Sequence, residues 1–130
     1  RIGINIQDTA GEGDRGDNSG DKPMDRSIVE TGPDGIFSTL PIRAMVKQLE
    51  VEGIPGQISN SAGTYICNNT MYGILHYIQE NNLQIKSGFV HFPATPDMVV
   101  SKPTIPSMSL ELQVKGLQVM VKAIRDQLGQ

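Results

Sequence analysis

The apolar residues of this chain switch repeatedly between a spacing of two and the spacing of a helix, and that alternation most restricts the folds open to it. Ile2, Ile4 and Ile6 alternate with Gly3 and Asn5, which predicts a half-buried strand. Between Pro41 and Glu52, Ile42, Met45 and Leu49 recur at helical spacing, with Pro41 suited to a first turn and Gly53 to a stop. Ile54 to Ser59 predicts a short strand, and Ala62 to Asn81 a second helix with Cys67, Met71, Ile74 and Ile78 along one stripe. Lys86 to Phe92 is a compact apolar run ended by Pro93, again strand-like. After a proline-bearing loop from Ala94 to Pro106, Ser107 or Ser109 caps a last helix. Glu111 complements the dipole of that helix, and Leu110, Val114, Leu117, Val121 and Ile124 form its predicted buried face. Strands alternating with helices predict an α/β fold, a central sheet covered by helices on both faces.

One stretch breaks the pattern. From Asp8 to Gly35 there are six Gly and six Asp with almost no apolar periodicity, which predicts a long loop over about 8–35. Turns are expected at Asn18-Ser19-Gly20 and Gly32-Pro33-Asp34-Gly35. Loops of that length inside a compact domain serve a site or a subunit contact. A calcium loop starting at Asp17 fails, because Lys22 stands where the sharp turn needs Gly and Ile28 where a bidentate Glu belongs. The tripeptide Arg15-Gly16-Asp17 is too short to carry an adhesion reading.

With 130 residues and 38% hydrophobic content, one domain is expected. Lys+Arg 11 against Asp+Glu 14 gives a net charge of −3, which argues against nucleic acid and anionic lipid as partners. No apolar run reaches the roughly 18 residues of a membrane span. The chain opens at Arg1 directly on the Ile alternation, and a preceding segment, with any targeting signal in it, is expected.

Chemistry centres on Cys67, the one cysteine, which leaves no intrachain disulfide and no cysteine-rich zinc site. A tight Ser61-Ala62-Gly63-Thr64 turn leads into the helix that carries it. A thiol in a first helical turn faces unpaired backbone N–H groups and the positive dipole end, which favour thiolate. The same N–H groups suit an oxyanion formed by attack on a carbonyl. A base must come from His76 or His91. His76 follows Cys67 by nine residues on one predicted helix, and nine steps of about 100° place it on the opposite face, as a partly exposed helix histidine. His91 lies at the C-terminal end of the predicted 86–92 strand, the sheet edge where open α/β proteins place their sites. Residue types alone leave a Cys67–His91 dyad and a buried structural pair both open.

The stretch Ser59-Asn60-Ser61-Ala62-Gly63-Thr64-Tyr65-Ile66-Cys67-Asn68 resembles the cysteine motif of the pyroglutamyl peptidase I family, and Gly88-Phe89-Val90-His91-Phe92-Pro93 its histidine motif, at the family's separation of twenty-four residues between Cys67 and His91. The likeness continues, in collinear order, through Asp17-Asn18-Ser19-Gly20, Lys22-Pro23, Gly32-Pro33, Phe37-Ser38-Thr39-Leu40-Pro41-Ile42, Gly53-Ile54-Pro55 and Pro106-Ser107-Met108-Ser109-Leu110. Ala10 to Gly16 departs from the family's loop, and no site residue is carried over there.

The resemblance implies a thiol exopeptidase that hydrolyses the amide after an N-terminal pyroglutamyl residue of peptides, with Cys67 as nucleophile and His91 as general acid and base. Tyr65 and Ile66 stand where the family lines an apolar pocket for the lactam ring with Phe followed by Val. The added Tyr hydroxyl needs a partner if buried. The resemblance also implies a catalytic Glu directly before Arg1, a cytoplasmic homo-oligomer and no metal or organic cofactor. Residues 1–130 then form the C-terminal part of a single catalytic α/β domain, its sheet incomplete without upstream strands, and this chain alone is expected to be inactive. Two other readings stay open: a non-catalytic truncated relative serving as a binding or subunit module, and a different thiol hydrolase.

Overall fold

A computed structural model describes residues 1–9 and 16–129. Arg15 and most of the departing Ala10–Gly16 segment therefore lie outside the described residues. The chain divides into two compact units, Arg1–Leu40 with Ser59–Phe89, and Pro41–Ile58 with Val90–Gln130.

In the first unit, strand β1 (Ile2–Ile4) pairs antiparallel with β2 (Gly35–Phe37), in the register Ile2 to Phe37, Gly3 to Ile36 and Ile4 to Gly35. The predicted strand stops at Ile4 rather than Ile6 because the backbone bends at Asn5, where the Ile6 N–H donates to the Ile4 carbonyl at 2.9 Å. The Asn5 side chain holds the bend: Oδ1 accepts from the N–H groups of Ile28 and Val29, and Nδ2 donates to the carbonyls of Val29 and Gly32. One amide thereby satisfies four backbone groups that no ladder serves. Strand β2 carries no strand signal in its residues, because a three-residue element is too short to show a period. The expected Asn18-Ser19 turn is present, closed by Gly20 N–H to the Asp17 carbonyl at 2.9 Å, with Gly20 at φ +80. Asp17 Oδ1 accepts from the N–H groups of Ser19 and Asp21, a local Asx arrangement.

Helix α2 (Ile66–Glu80) closes this unit. Its buried residues are Asn68, Met71, Tyr72 and Leu75, which form a core with Ile36, flanked by Ile28, Val29 and Ala62. That corrects the predicted stripe: Met71 is buried, but Ile74 is 48% exposed and Cys67 and Ile78 are half-buried. The face is set by Gly3, where a Cβ would stand 3.1 Å from the Tyr72 Cα, so β1 approaches the helix at Tyr72 and rotates Leu75, not Ile74, inward.

Tyr72 is fully buried and donates its hydroxyl to the Pro33 carbonyl at 2.7 Å. Burial pushes its phenol above the ordinary range, and the negative charge of Asp34 adds to the rise. A raised acid pKa leaves its stabilising contribution intact below about pH 10 and removes it as pH climbs from there through the folded-state value. Urea melts at pH 8 and pH 11 are expected to show wild type losing more stability than Tyr72→Phe over that interval. At pH 8 the variant should be weaker by about 1–2 kcal/mol, the loss of a buried hydrogen bond. Parallel losses in the two proteins would refute the assignment.

In the second unit, α1 (Ile42–Val51) packs on α3 (Leu110–Gln127) through Met45 and Leu49 on one side and Gly116, Met120 and Ala123 on the other. The α1 stop is a Schellman motif: Gly53 has φ +68, its N–H reaches the Glu50 carbonyl, and the Ile54 N–H reaches the Leu49 carbonyl at 2.8 Å. Ile54 is thus spent on ending a helix, and Pro55 has no N–H, so the predicted 54–59 strand does not form. Ser109, not Ser107, caps α3 by accepting from the Leu112 N–H.

The face of α3 is also corrected, since Leu110, Val114, Leu117 and Val121 are exposed and Ile124 is half-buried. The helix carries two apolar stripes, and α1 selects the one with Gly116 and Ala123, where small residues allow close approach. The 94–106 loop contains a 3₁₀ turn at Pro96–Val99 and bridges Ala94 to Ser107.

The predicted 86–92 strand does not form. Ser87 accepts one backbone bond, from Thr39 N–H at 2.9 Å, while its own N–H goes to the Thr39 hydroxyl at 2.8 Å. A hydroxyl in place of the return carbonyl ends the ladder after one rung.

Candidate active site

The approach to Cys67 is built by backbone pairing between the segment after β1 and the turn before α2. Asp8 N–H donates to the Thr64 carbonyl at 2.9 Å, and the Thr64 hydroxyl donates to the Asp8 carbonyl at 3.0 Å. Gly63, at φ +74, makes the expected turn, with its N–H on Ser61 Oγ. The start of β1 abuts the same loop, since the Arg1 nitrogen donates to the Ser59 carbonyl at 2.8 Å.

Tyr65 is the N-cap of α2, with its carbonyl accepting the first helical bond from Asn69 N–H at 2.9 Å. The helix therefore begins at Ile66, four residues later than the sequence period indicated, and Cys67 falls in the first turn. Tyr65 contributes no side-chain cap, and the first turn holds no acidic residue, so the positive end of the helix is left uncompensated by its own side chains. The Tyr65 hydroxyl instead donates to the Gly16 carbonyl at 3.1 Å, the partner that a Tyr in this position requires. Ile66 is 62% exposed and Cys67 half-buried.

Next to Cys67 lies a residue that the sequence reading did not single out. Asn68 is fully buried, and its amide pairs with the strand end: Oδ1 accepts from Ile4 N–H at 2.9 Å, and Nδ2 donates to the carbonyls of Ile4 at 2.8 Å and Ile6 at 3.0 Å. The signal was available, since an Asn inside the first turn of a helix competes for backbone groups and calls for a partner.

Tyr65, Ile66 and Cys67 thus stand together at the start of α2 in the first unit, and His91 belongs to the second. There His91 is exposed, two residues before Pro93, whose carbonyl accepts from Gln113 Nε2 of α3 at 3.1 Å. His76 lies within α2, half-buried, its ring stacked on Tyr72 at 5.9 Å and its Nε2 4.0 Å from Glu80. Because α2 is continuous from Ile66 to Glu80, the nine-residue separation does put His76 on the face opposite Cys67. Among the described residues no group of three or more His, Cys, Asp or Glu is placed to hold a metal ion.

Fold and site together define a class: an α/β protein whose single cysteine sits in the uncapped first turn of a helix, directly after a glycine turn. The family model described as Pyroglutamyl peptidase matches residues 1–127, and the chain belongs to that family. Its relatives include a pyrrolidone-carboxylate peptidase of Clostridium botulinum, 49% identical over 123 residues, a match covering 95% of this chain and 56% of the relative. Among solved structures, the pyrrolidone carboxyl peptidase of Thermococcus litoralis superposes with TM-score 0.90 at 42% identity, covering 99% of this chain and 59% of its own. The pyroglutamyl peptidase I of Bacillus amyloliquefaciens gives TM-score 0.87 at 32% identity, covering 95% and 57%. The chain therefore spans a little over half the length of these relatives. No helix among the described residues is long and apolar enough to cross a membrane.

Proposed function

We propose that the protein containing this chain is a cysteine peptidase that removes N-terminal pyroglutamate from peptides. The observation that carries the reading is the coincidence of a family match over residues 1–127 with a Cys67 seated in the first turn of α2. In the proposed reaction the Cys67 thiol gives its proton to His91 as its sulfur forms a bond to the pyroglutamyl carbonyl carbon, and first-turn N–H groups receive the oxyanion. His91 protonates the departing amine as the C–N bond breaks. It then takes a proton from water, which attacks the thioester and releases pyroglutamate and the thiol. Tyr65 and Ile66 are assigned to the lactam ring: a cyclic amide with no free amine is held best by apolar contacts and hydrogen bonds at its edges.

Residues 1–130 serve, on this reading, as the C-terminal part of one catalytic domain. By analogy with the family, a Glu directly before Arg1 is assigned as the third catalytic residue. A cytoplasmic homo-oligomer without metal or organic cofactor completes the proposal, by analogy with the family. The full-length protein is expected to release a chromophore from a pyroglutamyl amide, leave the corresponding alanyl amide intact and keep its rate in EDTA. Equal release from the two amides would move the assignment to another thiol hydrolase, and release from neither would make the protein a non-catalytic relative.

A further inference from the structure

We propose that Asn68 is a positioning residue for Cys67, a role that rests on the peptidase reading above. Its amide is fully buried and makes three hydrogen bonds, all to the backbone at the end of β1. The carbonyls of Ile4 and Ile6, two residues apart, lie on the same side of the backbone, where a single Nδ2 meets both. Asn68 follows Cys67 directly, and the side chain of the N-cap residue Tyr65 makes no bond to the helix amides. The helix start is therefore oriented against the sheet through Asn68, and so are the sulfur and the amides that flank it.

Acyl transfer needs those groups placed to within a few tenths of an ångström, and a displacement of about 1 Å costs on the order of a hundredfold in rate. Substrate binding draws on a wider surface and is less sensitive. Loosening the tether should therefore act on kcat and spare KM. Asn68→Asp keeps the shape but sets a carboxylate against two carbonyls, and Asn68→Ser cannot span the gap. β1 offers a second handle on the same junction, since a Cβ at Gly3 would stand 3.1 Å from the Tyr72 Cα and N and push strand and helix apart by a few tenths of an ångström.

The experiment is steady-state hydrolysis of a pyroglutamyl chromogenic amide by the full-length protein, with circular dichroism to confirm folding. Asn68→Ser and Asn68→Asp are expected to lower kcat roughly a hundredfold with KM within about threefold. Tyr72→Phe, which loses a core hydrogen bond away from the first turn, should keep kcat within about twofold. A folded Asn68→Ser with wild-type kcat overturns the proposal, as does a change confined to KM. A fall in kcat in Tyr72→Phe equal to that in Asn68→Ser overturns it as well, because rate would then follow stability alone. Should neither Asn68 variant fold, Gly3→Ala decides: kcat reduced about three- to tenfold at unchanged KM supports the tether, and unchanged kcat overturns it. An inactive wild type, or activity surviving in Cys67→Ala, removes the peptidase reading itself; an active wild type with normal Asn68 variants removes only the positioning role.

Discussion

Cys67→Ala in the full-length protein is expected to abolish turnover of pyroglutamyl amides, with kcat reduced on the order of 10⁴-fold or more, as follows when a covalent nucleophile is deleted. The loss would be chemical, not structural. Cys67 is half-buried, so trading its sulfur for a methyl group removes little packing, and the expected stability change is under about 1 kcal/mol. The first turn would also remain in place, since it is held by Asn68 on Ile4 and Ile6 and by Thr64 on Asp8. Iodoacetamide supplies an independent arm, because within these 130 residues Cys67 is the single thiol. One carboxamidomethyl group mapped to Cys67 should accompany complete inactivation, and prior binding of a pyroglutamyl substrate analogue should slow it. Activity that persists after stoichiometric modification of Cys67 would sink the nucleophile assignment.

The placement of that thiol was legible in the sequence because helix ends are local. Gly53 after an apolar period, a serine before one and a glycine turn ahead of Cys67 each act within a few residues, so the stop of α1 and the first-turn place of Cys67 follow from them, while the cap of α3 is narrowed to Ser107 or Ser109 and the start of α2 falls four residues late, at Ile66. Strands were read less well, because a strand exists only through a partner. Ile54–Ser59 and Lys86–Phe92 have the composition for pairing, but the Ile54 N–H is taken by Leu49 and the Ser87 N–H by a hydroxyl. The Leu49 acceptor belongs to the same Gly53 helix stop and so was within reach of a local reading, whereas the Thr39 hydroxyl lies 48 residues from Ser87 and no local pattern announces it.

The buried faces of α2 and α3 failed for a related reason. Each helix carries more than one apolar stripe, and the choice between them is made elsewhere, by Gly3 against Tyr72 in one case and by α1 against Gly116 and Ala123 in the other. A periodicity argument ranks stripes by hydrophobicity, whereas packing ranks them by how closely a partner can approach. Asn68 is the sharpest instance. Its place in a first helical turn called for a partner, but only the fold shows that the partner is the backbone of Ile4 and Ile6, whose donor and two acceptors match one buried amide.

The two histidines are expected to separate by several orders of magnitude. General acid and base catalysis contributes roughly 10²- to 10⁴-fold, and in a thiol peptidase one imidazole serves both half-reactions, so His91→Ala should lower kcat by about 10³- to 10⁴-fold. His76 is placed differently. It sits nine residues after Cys67 on the continuous helix α2, stacks on the buried Tyr72 and faces Glu80 one turn on, which are the surroundings of a packing residue. Its removal exposes part of the Tyr72 ring and loses the stacking, which should cost on the order of 1 kcal/mol of stability. Turnover in His76→Ala should remain within a few-fold of wild type at a temperature where both proteins are folded. Thermal midpoints and kcat, measured on the same two variants, should therefore rank them in opposite orders, with His76→Ala the less stable and His91→Ala the less active. Comparable losses of kcat would mean that His91 is not the base that serves Cys67. If His76→Ala alone were inactive while folded, the catalytic pair would have to be rebuilt around α2.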